Sequence, residues 1–159
     1  MEELVPLGRI VRLQVQADAL KTGDKPFQRY DPGNIRPVPA LALTPDGVAG
    51  LDGERAIVDV HHRDHPHSRF RGENGVSLGF TSHYRAMRER FGGHLTDGIA
   101  GENILVAADG RVPVEALAGG IVIVPDDGRG AAVAIDDWIV AAPCAPFTKF
   151  CLRIPHDAR

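Results

Sequence analysis

Eighteen glycines and twelve prolines cut this chain of 159 residues into short apolar runs, and that punctuation constrains its fold more than any other feature. Both residues interrupt helices and mark turns, so a chain divided this often is built from short strands. Gly8 to Gln16 alternates Val11, Leu13 and Val15 with Arg12, Gln14 and Gln16, the period of a half-buried strand. Leu41 and Leu43 predict a short strand closed by a Thr44-Pro-Asp-Gly47 turn, and Ala56 to Val60 predicts another. Val76 to Phe80 is an apolar run, and Ile104 to Val106 reads as a strand. Val112 to Leu117 reads as a strand or edge segment, and Gly120 to Val124 runs into a Pro125-Asp-Asp-Gly128 hairpin turn. Ala131 to Ala142, with Trp138 inside it, predicts a longer strand. Residues 21–39 are polar and proline-rich and read as a long loop.

One segment breaks the pattern. Phe80, Tyr84, Met87 and Phe91 recur at helical spacing, which predicts a helix over about 81–91. Thr81 or Ser82 is the expected cap and Gly92 the stop. Phe147 to Leu152 is expected to add a short C-terminal helical turn. The expected fold is mainly β: a closed or partly open β-barrel, or a sandwich, of many short strands with one inserted amphipathic helix, in a single domain over 1–159.

Apolar residues make up 43% and charged residues 25%, a soluble globular balance. The net charge of -3 gives no reason to expect nucleic acid, so any anion site must come from a local basic patch. No stretch approaches the roughly 20 apolar residues that span a bilayer, so no membrane segment is expected. The acidic start of the chain does not read as a signal peptide. Two cysteines seven positions apart form no Cys-x-x-Cys pair and no disulfide framework. The expected location is a reducing cytoplasm with both thiols free.

Three stretches carry candidate chemistry. Cys144 sits between Pro143 and Pro146, which stop the preceding strand and stiffen the turn. A thiol so held is either a reactive group or a small apolar residue filling the core. The stretch 61–71 holds His61, His62, Asp64, His65 and His67, enough ligands for zinc, iron or manganese. It also holds Arg63, Arg69 and Arg71, with Arg85, Arg88 and Arg90 on the following helix. Arginine forks match oxyanions, so the cluster reads as a small-anion site or as a solvated face paired with nearby carboxylates. Gly72-Glu-Asn-Gly75 is either a phosphate-approaching loop or an ordinary turn. In Gly98-Ile-Ala-Gly-Glu-Asn103, Glu102 and Asn103 lead into an apolar strand. Buried there, they must bond either to neighbouring loop backbone or to a ligand.

Gly98-Ile-Ala-Gly-Glu-Asn-Ile-Leu-Val106, followed about forty residues later by Pro143-Cys144, resembles the MOSC domain found at the C-terminus of molybdenum cofactor sulfurases and in stand-alone bacterial proteins. The opening Gly8-Arg-Ile-Val strand, the Gly47 to Asp52 segment and the Ser82-His83-Tyr84 helix follow in the same order, so the resemblance covers nearly the whole chain. It implies a β-barrel with Cys144 near a pocket at one end. There Cys144 would carry sulfur as a persulfide received from a cysteine desulfurase, or ligate molybdenum. The implied cofactor is the molybdenum cofactor, a pterin held by Arg63, Arg69, Arg71, His67, Glu102 and Asn103. Pyridoxal phosphate binding enters only at the level of the family. The activities implied are sulfurtransferase-like or reductase-like. The residues by themselves also allow a non-catalytic module that binds a small anion, or a metal enzyme built on the histidines.

Overall fold

The computed structural model describes residues 3–159. Strand β1 (Ile10–Gln16) is its centre. Next come a short ribbon of β2 (Lys21–Thr22) and β3 (Arg29–Tyr30), a 3-10 turn at Pro32–Asn34, and β4 (Ile35–Pro37). The stretch expected as a loop therefore carries pairing of its own: β4 lies antiparallel on β1. Strands β5 (Ala40–Thr44), β6 (Gly47–Asp52) and β7 (Arg55–Val58) form an antiparallel meander. Strand β8 (Leu78–Phe80) leads directly into α1 (Thr81–Phe91), and β9 (Ile104–Val106) returns between β1 and β8. It runs parallel to β8 and antiparallel to β1. A hairpin of β10 (Ile121–Ile123) and β11 (Val133–Ile135) precedes α2 (Ala145–Leu152).

The fold is mainly β, with two α-helices among the described residues. Its ladders form a four-stranded sheet ordered β4-β1-β9-β8, the three-stranded meander and two ribbons; among the described residues they do not join into a closed ring. Among those residues no helix is long and apolar enough to cross a membrane.

The main sheet and the meander share one interior. Phe80, Ile104, Val106 and Leu117 form one buried cluster, and Val15, Val38 and Val48 another. Leu13, Leu41, Leu43 and Val76 touch both. Gly50 allows the layers to approach: a Cβ there would stand 2.8 Å from Val38 and 3.3 Å from Val15.

Several local expectations change for identifiable reasons. The β1–β9 register shifts between Ile10 and Arg12, so one extra residue is accommodated at Val11, which is 56% exposed. Such a bulge resets the inside–outside alternation. Downstream, Val15 is buried as expected, and Gln14 is buried as well. Val114–Leu117 is a 3-10 turn rather than an edge strand. The long strand expected over 131–142 pairs only at Val133–Ile135, because Asp137 takes a left-handed conformation (φ 55°) that turns the chain out of the ladder. Helix α1 has the expected extent, and the Gly92 N–H closes it onto the Arg88 carbonyl. Its start is uncapped, since Thr81 turns its hydroxyl to Ala108, accepting from the amide at 3.1 Å. Helix α2 is longer than the expected turn, with Cys144 at its N-cap. Pro146 is tolerated in the first turn, where no N–H is required.

Candidate functional site

The exit of β1, residues 16–20, is where the chemically interesting segments meet. The Gln16 carbonyl accepts from the Val60 N–H at 2.8 Å, which draws the 61–71 segment to this point. His65 Nε2 stands 2.8 Å from the Ala17 carbonyl, and His67 Nδ1 3.2 Å from Asp18. From the other side, Gln16 Nε2 donates to the Gly101 carbonyl at 2.9 Å. Gly101 has φ +89°, and a Cβ there would fall 2.7 Å from Leu20 Cδ1. The Leu20 carbonyl accepts from Asp31 N–H at 2.7 Å, which fixes neighbouring Tyr30.

After Val58 the histidine stretch is a string of turns rather than a strand. The amides of His62, His65 and Ser68 each bond the carbonyl three residues back. Its ring nitrogens are mostly engaged. His61 Nδ1 stands 3.0 Å from Asp59, and His62 Nδ1 accepts from the Asp64 amide at 3.0 Å. His65 Nδ1 accepts from the His67 amide at 2.9 Å, so the neutral ring carries its proton on Nε2, toward Ala17. Among the described residues no three His, Cys, Asp or Glu side chains group to hold a metal ion. Arg63 pairs with Asp46 at 3.1 Å and lies over the Phe70 ring. Asn74 spans a turn, accepting from the Arg71 amide and donating to the Arg69 carbonyl. The Arg69 and Arg71 side chains are exposed and make no bond among the described residues.

Asn103 is wholly committed to the fold. Its carbonyl accepts from the Ser77 amide at 3.1 Å, and its amide donates to Asp59 at 2.9 Å and to the Gln14 carbonyl at 3.2 Å. The preceding loop is pinned by side chains. Gln14 Nε2 donates to Gly98 at 2.7 Å, Tyr30 to Ile99 at 2.6 Å, and the Ala100 amide to the Tyr84 hydroxyl at 2.9 Å. Among the described residues Glu102, 8% exposed, receives only the Tyr84 hydroxyl, at 2.7 Å on Oε2, while Oε1 is buried without a partner. Burial pushes its carboxyl above the ordinary value, against the lowering effect of that hydroxyl.

Cys144 is half-buried, and its carbonyl starts α2 by accepting from Thr148 N–H at 2.9 Å. Tyr30 holds this helix in place through Phe147 and Phe150, with ring centroids 4.9 and 5.2 Å away. Burial raises the Tyr30 phenol, and Glu102, Cys144 and Cys151 act in the same direction. Cys151 is buried, which pushes its thiol up. Seven helical residues, about 10 Å of rise, separate the two thiols, too far for a disulfide while α2 stays wound. His94 accepts from Arg153 on Nδ1, and its Nε2–H caps α2 at the carbonyls of Phe150 and Cys151, 3.1 and 3.0 Å away.

Sequence reasoning passed over Asp59, Tyr84, Tyr30 and Gln14. Asp59 had a signal: a lone carboxylate between Val58 and Val60 in an apolar run has to be satisfied or exposed. Comparisons with protein-family models, with curated proteins and with solved structures found no match.

Proposed function

We propose that this chain is a MOSC-type domain, a partly open barrel, in which Cys144 carries sulfane sulfur in a reducing cytoplasm. The observation that carries the reading is the half-buried thiol at the start of α2, the helix that Tyr30 packs against through Phe147 and Phe150. In the loading step the Cys144 thiolate attacks the terminal sulfur of a donor persulfide, such as that of a cysteine desulfurase. The donor S–S bond breaks, the donor leaves as a thiolate, and Cys144 holds the persulfide. Loading with a desulfurase and cysteine should add one sulfur to the wild-type mass and none to Cys144→Ser. No gain on wild type, or equal gain on both, would overturn the reading.

The molybdenum cofactor belongs to the same proposal, since a soft thiolate suits molybdenum. Of the residues expected to hold the pterin, Arg69 and Arg71 are exposed and uncommitted, and Glu102 has one buried oxygen without a partner. Arg63, His67 and Asn103 already bond within the chain, to Asp46, Asp18 and Asp59. When bound, the cofactor supplies redox chemistry at its metal; the chain contributes the Cys144 ligand and the charge of two arginines. Metal analysis and pterin fluorescence after expression with ample molybdenum test this form. The free arginines also support a second reading, a small-anion module without catalysis. In that case Arg69→Ala or Arg71→Ala weakens binding while Cys144→Ala leaves it intact.

A further inference from the structure

A groove of about 600 Å³ runs along the first turns of α1 and is closed on its other side by the turn at 109–111. Ser82, His83, Arg85, Glu89, Asp109 and Arg111 line it. We propose that its N-terminal end is a binding site for a small oxyanion, separate from the Cys144 chemistry.

Several donors there have no other partner among the described residues. Helix α1 starts without a side-chain cap and without an acidic residue in its first turn. Its first amides therefore keep their orphan donors and the positive end of the helix dipole. Ser82, in that turn, is only 8% exposed, and its hydroxyl has no partner. Buried hydroxyls are normally bonded, so an orphan lining a groove marks the place where an acceptor is expected. His83 Nε2 accepts from the Val112 amide at 3.2 Å, which leaves the proton of the neutral ring on Nδ1 as a further donor. Burial, with Arg111 nearby, disfavours the charged ring.

The two arginines divide the work. Arg85 donates to the carbonyls of Asp109 and Ala108 at 3.1 and 3.3 Å, so it braces the turn that carries Arg111. Arg111 itself forms no ion pair or hydrogen bond among the described residues. Two carboxylates also line the groove. Glu89 lies seven residues beyond Ser82 on α1, about 10 Å along the axis. Asp109 sits on the turn braced by the Arg85 cation. Ala108 bonds Thr81, so Asp109 stands at the helix start, where Arg85 and Arg111 outnumber it, and Glu89 is the carboxylate at the other end. A hydroxyl, an imidazole N–H, helix amides and a guanidinium are all donors, and they fit phosphate or a carboxylate alike.

The test is a backbone amide NMR titration of the whole protein with inorganic phosphate and, separately, with acetate. Ionic strength is held constant with sodium chloride. Saturable shifts at residues 81–83 and 111 are expected with at least one anion, and the stronger of the two assigns the class. Arg111→Ala should weaken binding about tenfold, equivalent to about 1.4 kcal/mol. Ser82→Ala should weaken it about threefold with an unchanged or higher Tm, because it removes an unsatisfied buried hydroxyl. Cys144→Ala should bind as wild type. Shifts that match those of chloride, or wild-type binding by both groove variants, overturn the site. A lowered Tm in Ser82→Ala with unchanged affinity also overturns it, since the hydroxyl would then serve the fold.

Discussion

Two carboxylates are buried among the described residues, and their surroundings are opposite. Asp59, fully buried, receives four donors: the Gln16 and His61 amides at 2.8 Å, the His61 ring at 3.0 Å and the Asn103 side chain at 2.9 Å. Glu102 receives the Tyr84 hydroxyl alone. Burial pushes both carboxyls up; at Asp59 the His61 ring and the amides outweigh it and hold the group below its ordinary value. At Glu102 burial wins. The lesson is that burial does not decide the charge of a carboxyl; the number of donors does. Asp59 ties the meander to the main sheet as a charged knot. Glu102 is a loosely held acid, tied to the Tyr84 hydroxyl of α1.

The contrast is sharpest if the knot is cut. Asp59→Ala takes the acceptor from four donors, one buried and three part-buried, and should cost about 3–5 kcal/mol in urea unfolding. A loss below about 1 kcal/mol would break the account of Asp59 as a structural group. Asn103→Ala removes one of those donors, a bond to Gln14 on β1 and two bonds from Ser77, and should cost about 2–3 kcal/mol by the same measurement. Tyr84→Phe removes the only donor to Glu102 and the acceptor for Ala100, with an expected cost of about 1.5 kcal/mol.

The smallest effect separates the two groups by sign. Glu102, raised above its ordinary 4.5, contributes stability that is complete below that value and is lost as pH climbs through the raised folded value. Asp59, lowered from 3.8, contributes stability present above that value and lost as pH falls through the lower folded one. Glu102→Gln should flatten the loss on the alkaline side, leave the acid side unchanged, and gain about 1 kcal/mol at pH 8. Unfolding across pH 3–9 measures both limbs. An unchanged alkaline limb in this variant would mean Glu102 does not titrate in the folded protein.

Much of the architecture was legible. The α1 periodicity, the short strands and the Gly92 stop follow from local rules that act within a few residues. The bulge at Val11 was not legible, because an extra residue in a ladder depends on its partner strand rather than on the run itself. The truncated strand at 133–135 failed for a similar reason: an apolar run is a strand only where another strand meets it.

Within the candidate site, the chain by itself singled out Cys144, the basic stretch 61–71, and Glu102 with Asn103. Folding decided their standing. Asn103 meets Asp59 across 44 residues, Tyr84 meets Glu102 across 18, and Tyr30 packs against the helix that Cys144 begins. Local sequence sets backbone preference and apolar period, which are short-range. Charge state, hydrogen-bond satisfaction and exposure depend on which distant groups arrive, so only the tertiary structure separates a committed carboxylate from an open one.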